Sequence, residues 1–451
     1  MCFRSMGSTA APYVEARPPR LPAALRALKH RNFQLFFAGQ FISLTGTWMQ
    51  SVAQSWLVYR LTGSVLLLGT IGFASQIPVL LLAPFGGSTA DRFNRHRILL
   101  ITQSTAMLLA GVLSYLTLSG KVEIWHLMAI AVGFGMANAF DIPARQAFVA
   151  DMVGREDLIN AIALNSSMFN GARIVGPAIA GILVAGVGEG WCFLINAVSY
   201  VAVLASLTAM TISPIIRQSN KSPFADIKDG FVYVATTPPV RALLLLLGLV
   251  SLMGMPYAVL MPVFADQYLG GGSGTLGFLM GASGFGALAA ALTLASRKHV
   301  FGLGTWVAVA CAGLGISLIA FSYSRNVYLS ALALIPVGFS MMTQMASSNT
   351  LVQAMIPDEI RGRVMSVYSM MFMGMAPLGA LTAGTVAGII GPAETVLIGG
   401  VVCIVGAIVF ATQLGRLSTQ GREMIVAMQM TGGEPASKAF AQVPAETLGQ
   451  E

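Results

Sequence analysis

What most limits the folds open to this chain is a series of apolar segments, each long enough to cross a bilayer, that recurs along its length. A spanning helix needs about 20 predominantly apolar residues. By that measure spans fall near 33–58, 65–88, 98–118, 124–146, 160–186, 190–212, 241–264, 275–296, 301–322, 327–355, 364–389 and 393–414. In hydrocarbon such a segment satisfies its own N–H and C=O groups by coiling into a helix. The expected fold is therefore an all-α membrane protein of twelve transmembrane helices. The first and tenth spans are long and carry many polar groups.

Composition excludes a soluble protein. Charged residues make up 10% of the chain and apolar ones 55%, whereas soluble domains carry charge at about 25%. The 49 glycines and 25 methionines fit helices that pack closely and bend in lipid. A net charge of +8 would suit a nucleic-acid binder if it were gathered on one domain, but the basic residues lie between spans. With the N-terminus inside, 22 of the 26 Lys and Arg residues fall on inner segments. Arg60, Lys121 and Arg325 fall outside, and Arg173 lies within the fifth span. This split puts both termini in the cytoplasm.

The cysteines Cys2, Cys192, Cys311 and Cys403 lack the spacing of metal ligands, so no metal and no cofactor are expected. Residues 1–32 are basic and contain proline without an early apolar core, unlike a cleaved signal peptide.

The longest internal loop divides the spans six and six. This gives an N-terminal tail (1–32), a six-helix bundle (33–212), a cytoplasmic linker (213–240), a second bundle (241–414) and a C-terminal tail (415–451) that reads as disordered. Within the linker, Phe224 to Ala235 reads as a surface helix ended by Pro238 and Pro239. The bundles echo each other at an offset of 203: residues 148–181 align without gaps with 351–384, matching Met152 with Met355, Gly171 with Gly374 and Gly181 with Gly384. A parallel repeat of this kind makes two pseudo-symmetric halves that can rock against each other.

The sharpest motif lies between the second and third spans, Gly87-Ser-Thr-Ala-Asp91-Arg92-Phe-Asn-Arg95-His-Arg97, preceded by Gly86. A positive-inside loop accounts for its arginines but not for Asp91, a carboxylate at a helix end that needs a partner. The loop resembles the signature of the major facilitator superfamily, with Asn94 where the family usually has its second glycine; Asn tolerates the same tight turn. The resemblance covers nearly the whole chain. It is closest to the transmembrane secretion effector branch, which includes enterobactin exporters and macrolide efflux proteins. Asp141-Ile-Pro-Ala-Arg145, Asp151-Met-Val-Gly-Arg155 and Gly171-Ala-Arg-Ile-Val-Gly176-Pro177-Ala-Ile-Ala-Gly181 look typical of that branch.

The resemblance implies roles for these positions. Gly87, Asp91, Arg92, Arg95, Arg97, Asp141 and Arg145 correspond to a conformational latch. In it Asp91 meets the positive end of the eleventh helix around Gly362 to Val364, and Arg95 reaches Asp141 on the fourth helix. Gly171, Gly176, Pro177 and Gly181, echoed by Gly374, Pro377, Gly379 and Gly384, resemble a helix-packing motif that allows close approach and a bend. Gly277, Gly281, Gly284 and Gly286 on the eighth span add a further close-packing face.

A substrate path through such a fold should be lined by the first, fourth, seventh and tenth helices. Gln40, Ser43, Thr47, Gln50 and Gln54 share one face of the first span, and uncharged polar groups in a spanning helix face protein or water. An interhelical hydrogen-bond stripe is the competing account. Asn170, Arg173, Gln344 and Ser347 join the candidate path, with Arg173 requiring a partner wherever it is buried. No Asp, Glu, Lys or His lies near the centre of a span, so proton coupling rests on the family resemblance.

The chain has no P-loop: Gly270 to Gly274 lacks a following Lys-Ser/Thr. A secondary active transporter is therefore expected, not an enzyme. The resemblance implies a monomer in a bacterial inner membrane that exports a small hydrophobic or amphipathic compound, a siderophore or drug, by proton-coupled alternating access. It implies no nucleic-acid partner. A sensor or scaffold of the same fold, or an importer of a small metabolite, are the alternatives.

Overall fold

The computed structural model describes residues 23–211, 223–297, 302–357 and 360–430. Among the described residues the long helices are α1 (Arg31–Thr62), α2 (Val65–Arg92), α3 (Arg95–Leu118), α4 (Ile124–Gly154), α5 (Glu156–Val187), α6 (Glu189–Thr208), α7 (Pro238–Tyr268), α8 (Gly272–Ala295), α9 (Leu303–Tyr323), α10 (Val327–Ala354), α11 (Arg361–Ile390) and α12 (Pro392–Met430). Eleven of them are long and apolar enough to cross a membrane, α1 being the exception. Its stripe of Gln, Ser and Thr lowers its hydropathy, although its 32 residues exceed the length a bilayer needs.

Helix ends follow local chemistry. Asn94 accepts from the backbone N–H groups of His96 and Arg97 and so caps α3, which gives it a role that needs no left-handed turn. Gly63 ends α1 at φ +60°, the left-handed conformation that glycine adopts most easily. Helix α4 runs into α5 with one break at Gly154, where φ is +69°. Helix α7 carries π turns at Val250–Gly254 and Phe264–Tyr268, and α11 carries one at Met370–Gly374. The first lets α7 pass Pro256, whose ring would clash with a regular preceding turn. Ser251 in that turn donates to the Phe372 carbonyl in the π turn of α11 (2.9 Å).

Two boundaries differ from expectation. Helix α12 continues to Met430, well past the expected start of a disordered tail at 415, because 415–430 holds no proline and keeps a helical mixture of residues. The linker helix spans Pro223–Thr236 and α7 begins at Pro238, since proline at a helix's first position costs no hydrogen bond. Residues 1–22, 212–222 and 431–451 lie outside the described residues, as do most of the N-terminal tail and the polar part of the linker. Within the tail, Ala23–Lys29 forms a 3-10 turn.

Helix α6 packs against both α1 and α3, and α2 and α3 pack on the α4–α5 pair. Helix α10 packs on α8 and α9, and α12 on α9 and α7. The first six helices meet the last six mainly where α5 crosses α8 and α2 crosses α11.

Candidate functional site

Two glycine crossings join the halves. A Cβ built on Gly277 would lie 2.7 Å from Gly181 Cα, and one built on Gly384 would lie 2.8 Å from Gly69 Cα. Gly181 and Gly384 are equivalent positions of the 203-residue repeat, so one duplicated glycine makes both contacts. Gly284 meets Ile174, and Gly374 meets Leu80. Within the halves, Gly176 sits against Trp48 and Thr45 of α1, and Gly379 against Leu252 and Pro256 of α7. Pro377 is buried. Gly171 and Gly281 are under no such constraint: the first has only Phe41 at van der Waals distance and the second has nothing near it.

Both glycine crossings lie toward the end where α1 turns into α2. There Tyr59 on α1 donates to Asp266 on α7 (2.9 Å), a bond between halves that the sequence does not flag. Arg60, beside it, is held by Glu189 at the start of α6 (2.7 Å).

The opposite end carries the signature loop. Asp91 is exposed, and its charged partner among the described residues is Arg95, one turn along (3.5 Å). The expected contact with the start of α11 is not made in this conformation. Arg95 is buried and reaches Asp151 with Nη1 (2.8 and 2.9 Å) and the Ala90 carbonyl with Nε. Asp151 is thus its fourth-helix carboxylate, in place of the expected Asp141. Asp141 lies ten residues, about 15 Å of helix, further along α4 from the loop. There it accepts from Thr102 (2.9 Å) and Gln103 (2.7 Å) and pairs with Arg145 (3.1 Å). Gly87 has open space around it. The tight glycine is Gly86, where a Cβ would run into the Ala139 carbonyl of α4. Arg92 and Arg97 are solvent-facing.

Two clamps at this end were also missed. Asp157 at the start of α5 is buried and pairs with Lys29 (2.7 Å), His30 (2.9 Å) and Arg26 (3.6 Å), while Asn160 accepts from the Ala27 N–H. These contacts pin the N-terminal turn. The linker helix is held by Asp229 to Arg363 (2.8 Å) and by Tyr233, whose hydroxyl donates to the Met355 carbonyl. Burial raises the Tyr233 phenol above its ordinary pKa, which keeps it a donor.

The polar stripe of α1 divides. Gln50 accepts from Asn196 of α6 (2.6 Å), and Gly46 abuts Asn196 and Ser199. Gln40 and Ser43 are buried, and Thr47 contacts the Tyr200 hydroxyl (3.3 Å) while staying exposed on its other side. Gln54 is half-buried. Ser51 of α1 and Asn138 of α4 are exposed polar residues within spans that the stripe did not include; such groups face water in preference to lipid. Asn170 donates to the Ser166 carbonyl of its own helix. Arg173 finds its partner in an aromatic face, its guanidinium 5.7 Å from the Trp48 ring centre. Gln344 and Ser347 are buried inside the second half. Among the described residues no cluster of His, Cys, Asp and Glu could hold a metal.

Spanning helices in two groups, joined at glycine crossings near one end and carrying a charged loop at the other, define a membrane transporter. The comparisons make this specific. The profile of the transmembrane secretion effector family matches residues 22–433. The Staphyloferrin A transporter of Staphylococcus aureus is 27% identical over 378 residues, covering 83% of this chain and 94% of its own. Multidrug efflux pump Tap of Mycolicibacterium fortuitum is 25% identical, covering 77% and 88%. Enterobactin exporter EntS of Shigella boydii is 23% identical, covering 79% and 85%. Among solved structures, a POT family transporter in complex with 5-aminolevulinic acid superposes with TM-score 0.70 at 11% identity, covering 86% of this chain and 97% of its own. The nucleoside transporter NupG gives 0.66 at 14%, covering 87% and 99%. These two share the major facilitator fold.

The chain belongs to the transmembrane secretion effector family of major facilitator transporters. It is a multi-pass protein of the bacterial inner membrane and not an enzyme.

Proposed function

We propose that the protein exports a small amphipathic compound, siderophore-like or drug-like, from the cytoplasm by alternating access driven by a proton gradient. The observation that carries this reading is the asymmetry of contact between the halves. One end is drawn together by Gly181–Gly277, Gly69–Gly384 and Tyr59–Asp266, while Asp91 at the other is exposed and held only within its own half. On the positive-inside rule the second, basic end faces the cytoplasm, so the conformation is open inward. Residues 33–212 and 241–414 act as the two rocking units of a monomer. Asp91 closes on the α11 start when the cavity turns outward, with Arg95 and Asp151 holding the loop in shape. Thr47, Gln54, Ser51 and Asn138 line the path. The names of three relatives, a staphyloferrin transporter, an efflux pump and an enterobactin exporter, support substrate class and direction.

Two measurements test this. Cysteines placed at Lys121 or Gly272 should react with an impermeant thiol reagent in intact cells, and one at Lys228 only after lysis; the reverse pattern overturns the orientation. Purified protein in proteoliposomes should move an amphipathic dye or a siderophore against its gradient when a pH gradient is imposed. Equal distribution across the membrane, with and without that gradient, would refute energised export.

A further inference from the structure

The two halves treat one equivalent interior position in opposite ways. The repeat offset of 203 sets Asp141 of α4 opposite Gln344 of α10, and Arg145 opposite Ser348. In the first half the place is filled by protein, where Asp141 takes Arg145, Thr102 and Gln103 as partners. In the second half the corresponding groups are neutral. Thr343 Oγ1, Gln344 Nε2, Ser347 Oγ and Ser348 Oγ are buried with no hydrogen-bond partner in the protein among the described residues.

These groups form one face. Ser340, Thr343, Gln344, Ser347 and Ser348 follow the i, i+3, i+4, i+7, i+8 spacing of a single helical stripe. Ser340 fixes its direction, because a Cβ built on Gly313 of α9 would lie 3.0 Å from Ser340 Oγ. Gly313, the α9 residue that meets the stripe at Ser340, has no side chain to offer it a hydrogen bond. The hydroxyls do not fall back on their own helix either. Serine and threonine in a helix commonly bond the carbonyl four residues back, as Thr350 does to Ala346 and Thr385 to Leu381, but Thr343, Ser347 and Ser348 do not.

Buried hydroxyl and amide groups without a partner are costly. A water molecule is stable in a protein interior where two to four polar groups converge. No carboxylate lies on this stripe to attract a metal cation, and hydroxyl groups flanking one amide suit a neutral ligand that both donates and accepts. We propose that the α9–α10 seam of the second half holds enclosed, ordered water along this stripe. The first half closes its α3–α4 seam with hydrogen bonds from Thr102 and Gln103 to Asp141, whose charge Arg145 of the same helix balances. The water makes the second half the softer one, since α10 can exchange hydrogen bonds through it as it shifts against α9. In this conformation the stripe is buried inside the second half, so the water it holds does not depend on what is carried.

Radiolytic footprinting in lipid nanodiscs tests this, because buried methionines beside bound water are oxidised by radicals generated in place. Met341 borders the stripe on α10 and is nearly inaccessible, and Met261 on α7 is a fully buried methionine away from it. Met342 is a second control, since it faces Ala287 and Ala290 of α8 on the opposite side of α10. After timed mixing into heavy-oxygen water, Met341 should oxidise several-fold faster than Met261 and take up heavy oxygen only slowly. In Ser347→Ala/Ser348→Ala its oxidation should fall toward the Met261 rate. If that variant does not fold, the wild-type comparison decides alone. Oxidation at the Met261 rate would mean that the seam is dry. Heavy oxygen incorporated at the earliest mixing time would mean a cleft open to bulk solvent. Either result overturns the proposal.

Discussion

Tyr59 and Asp266 are 207 positions apart in sequence, yet the tyrosine hydroxyl donates to the aspartate carboxylate at 2.9 Å, tying α1 to α7 across the two halves. The bond lies at the end where the glycine crossings already bring the backbones together. It is therefore a polar closure added to an apolar one, and its strength is limited by the solvent around Asp266.

Tyr59→Phe keeps the ring and removes that closure. A hydrogen bond to a charged group contributes about 1.5–3 kcal/mol when shielded. Asp266 is exposed, so about 1 kcal/mol is expected, roughly a fivefold shift in the balance of conformations. Spin labels at Lys121 and Gly272 should report a larger share of long distances in the variant. An unchanged distance distribution would show that the glycine crossings close this end unaided.

The crossings give a sharper contrast. Alanine in place of glycine inside a helix gains about 1 kcal/mol in propensity, while overpacking a tight contact costs about 1–3 kcal/mol. Gly281→Ala and Gly388→Ala, with open space around them, should leave thermal stability unchanged or slightly raised. Gly384→Ala and Gly277→Ala should lower both stability and transport. Equal tolerance at all four positions would contradict the close approach.

Asp151 and Asp91 should separate stability from transport. Arg95 is buried against Asp151, and removing one partner of a buried pair costs about 3–5 kcal/mol. Asp151→Asn, which keeps the shape, should therefore reduce the melting temperature markedly. Asp91 is exposed, so Asp91→Asn should melt like wild type yet transport poorly. A fully active Asp91→Asn protein would remove the latch role.

Gln50 and Gln54 lie one turn apart and should behave differently. Gln50→Leu strands the Asn196 amide inside the first half and should cost about 1 kcal/mol in stability, with transport of all compounds reduced alike. Gln54→Leu should change preference among compounds by up to roughly a hundredfold in affinity, if two polar contacts at about 1–1.5 kcal/mol each are lost. Resistance to a compound panel, read beside thermal stability, distinguishes them. A uniform loss for Gln54→Leu that tracks its stability would assign it to packing as well.

Much of this protein was legible in the linear chain, because hydrophobic span length, basic loops and a duplicated sequence are local or periodic signals. The apolar runs gave the helices, and the first and tenth spans were both marked as unusual by their polar residues, although only α1 falls short of the hydropathy of a membrane span. Alignment at 203 singled out Gly181 and Gly384 before either had a known neighbour. The signature loop was legible as a motif, although Gly86 proved to be its tight glycine.

Partners were a different matter. Two carboxylates on α4, Asp141 and Asp151, are chemically alike, and only the depth at which α3 enters beside α4 gives Arg95 the second of them. The stripe on α1 has a correct face by helical periodicity, but periodicity cannot say that α6 supplies Asn196 to that face at Gln50. Tyr59 and Asp266, Asp157 and Lys29, and the unpartnered stripe on α10 belong to the same class. The sequence by itself determined the helices, the faces they would bury and the duplication that relates the halves, since each depends on residues close in the chain or on a fixed repeat. The tertiary structure decided which charge meets which, and which end is closed, because those depend on how far one helix slides along another.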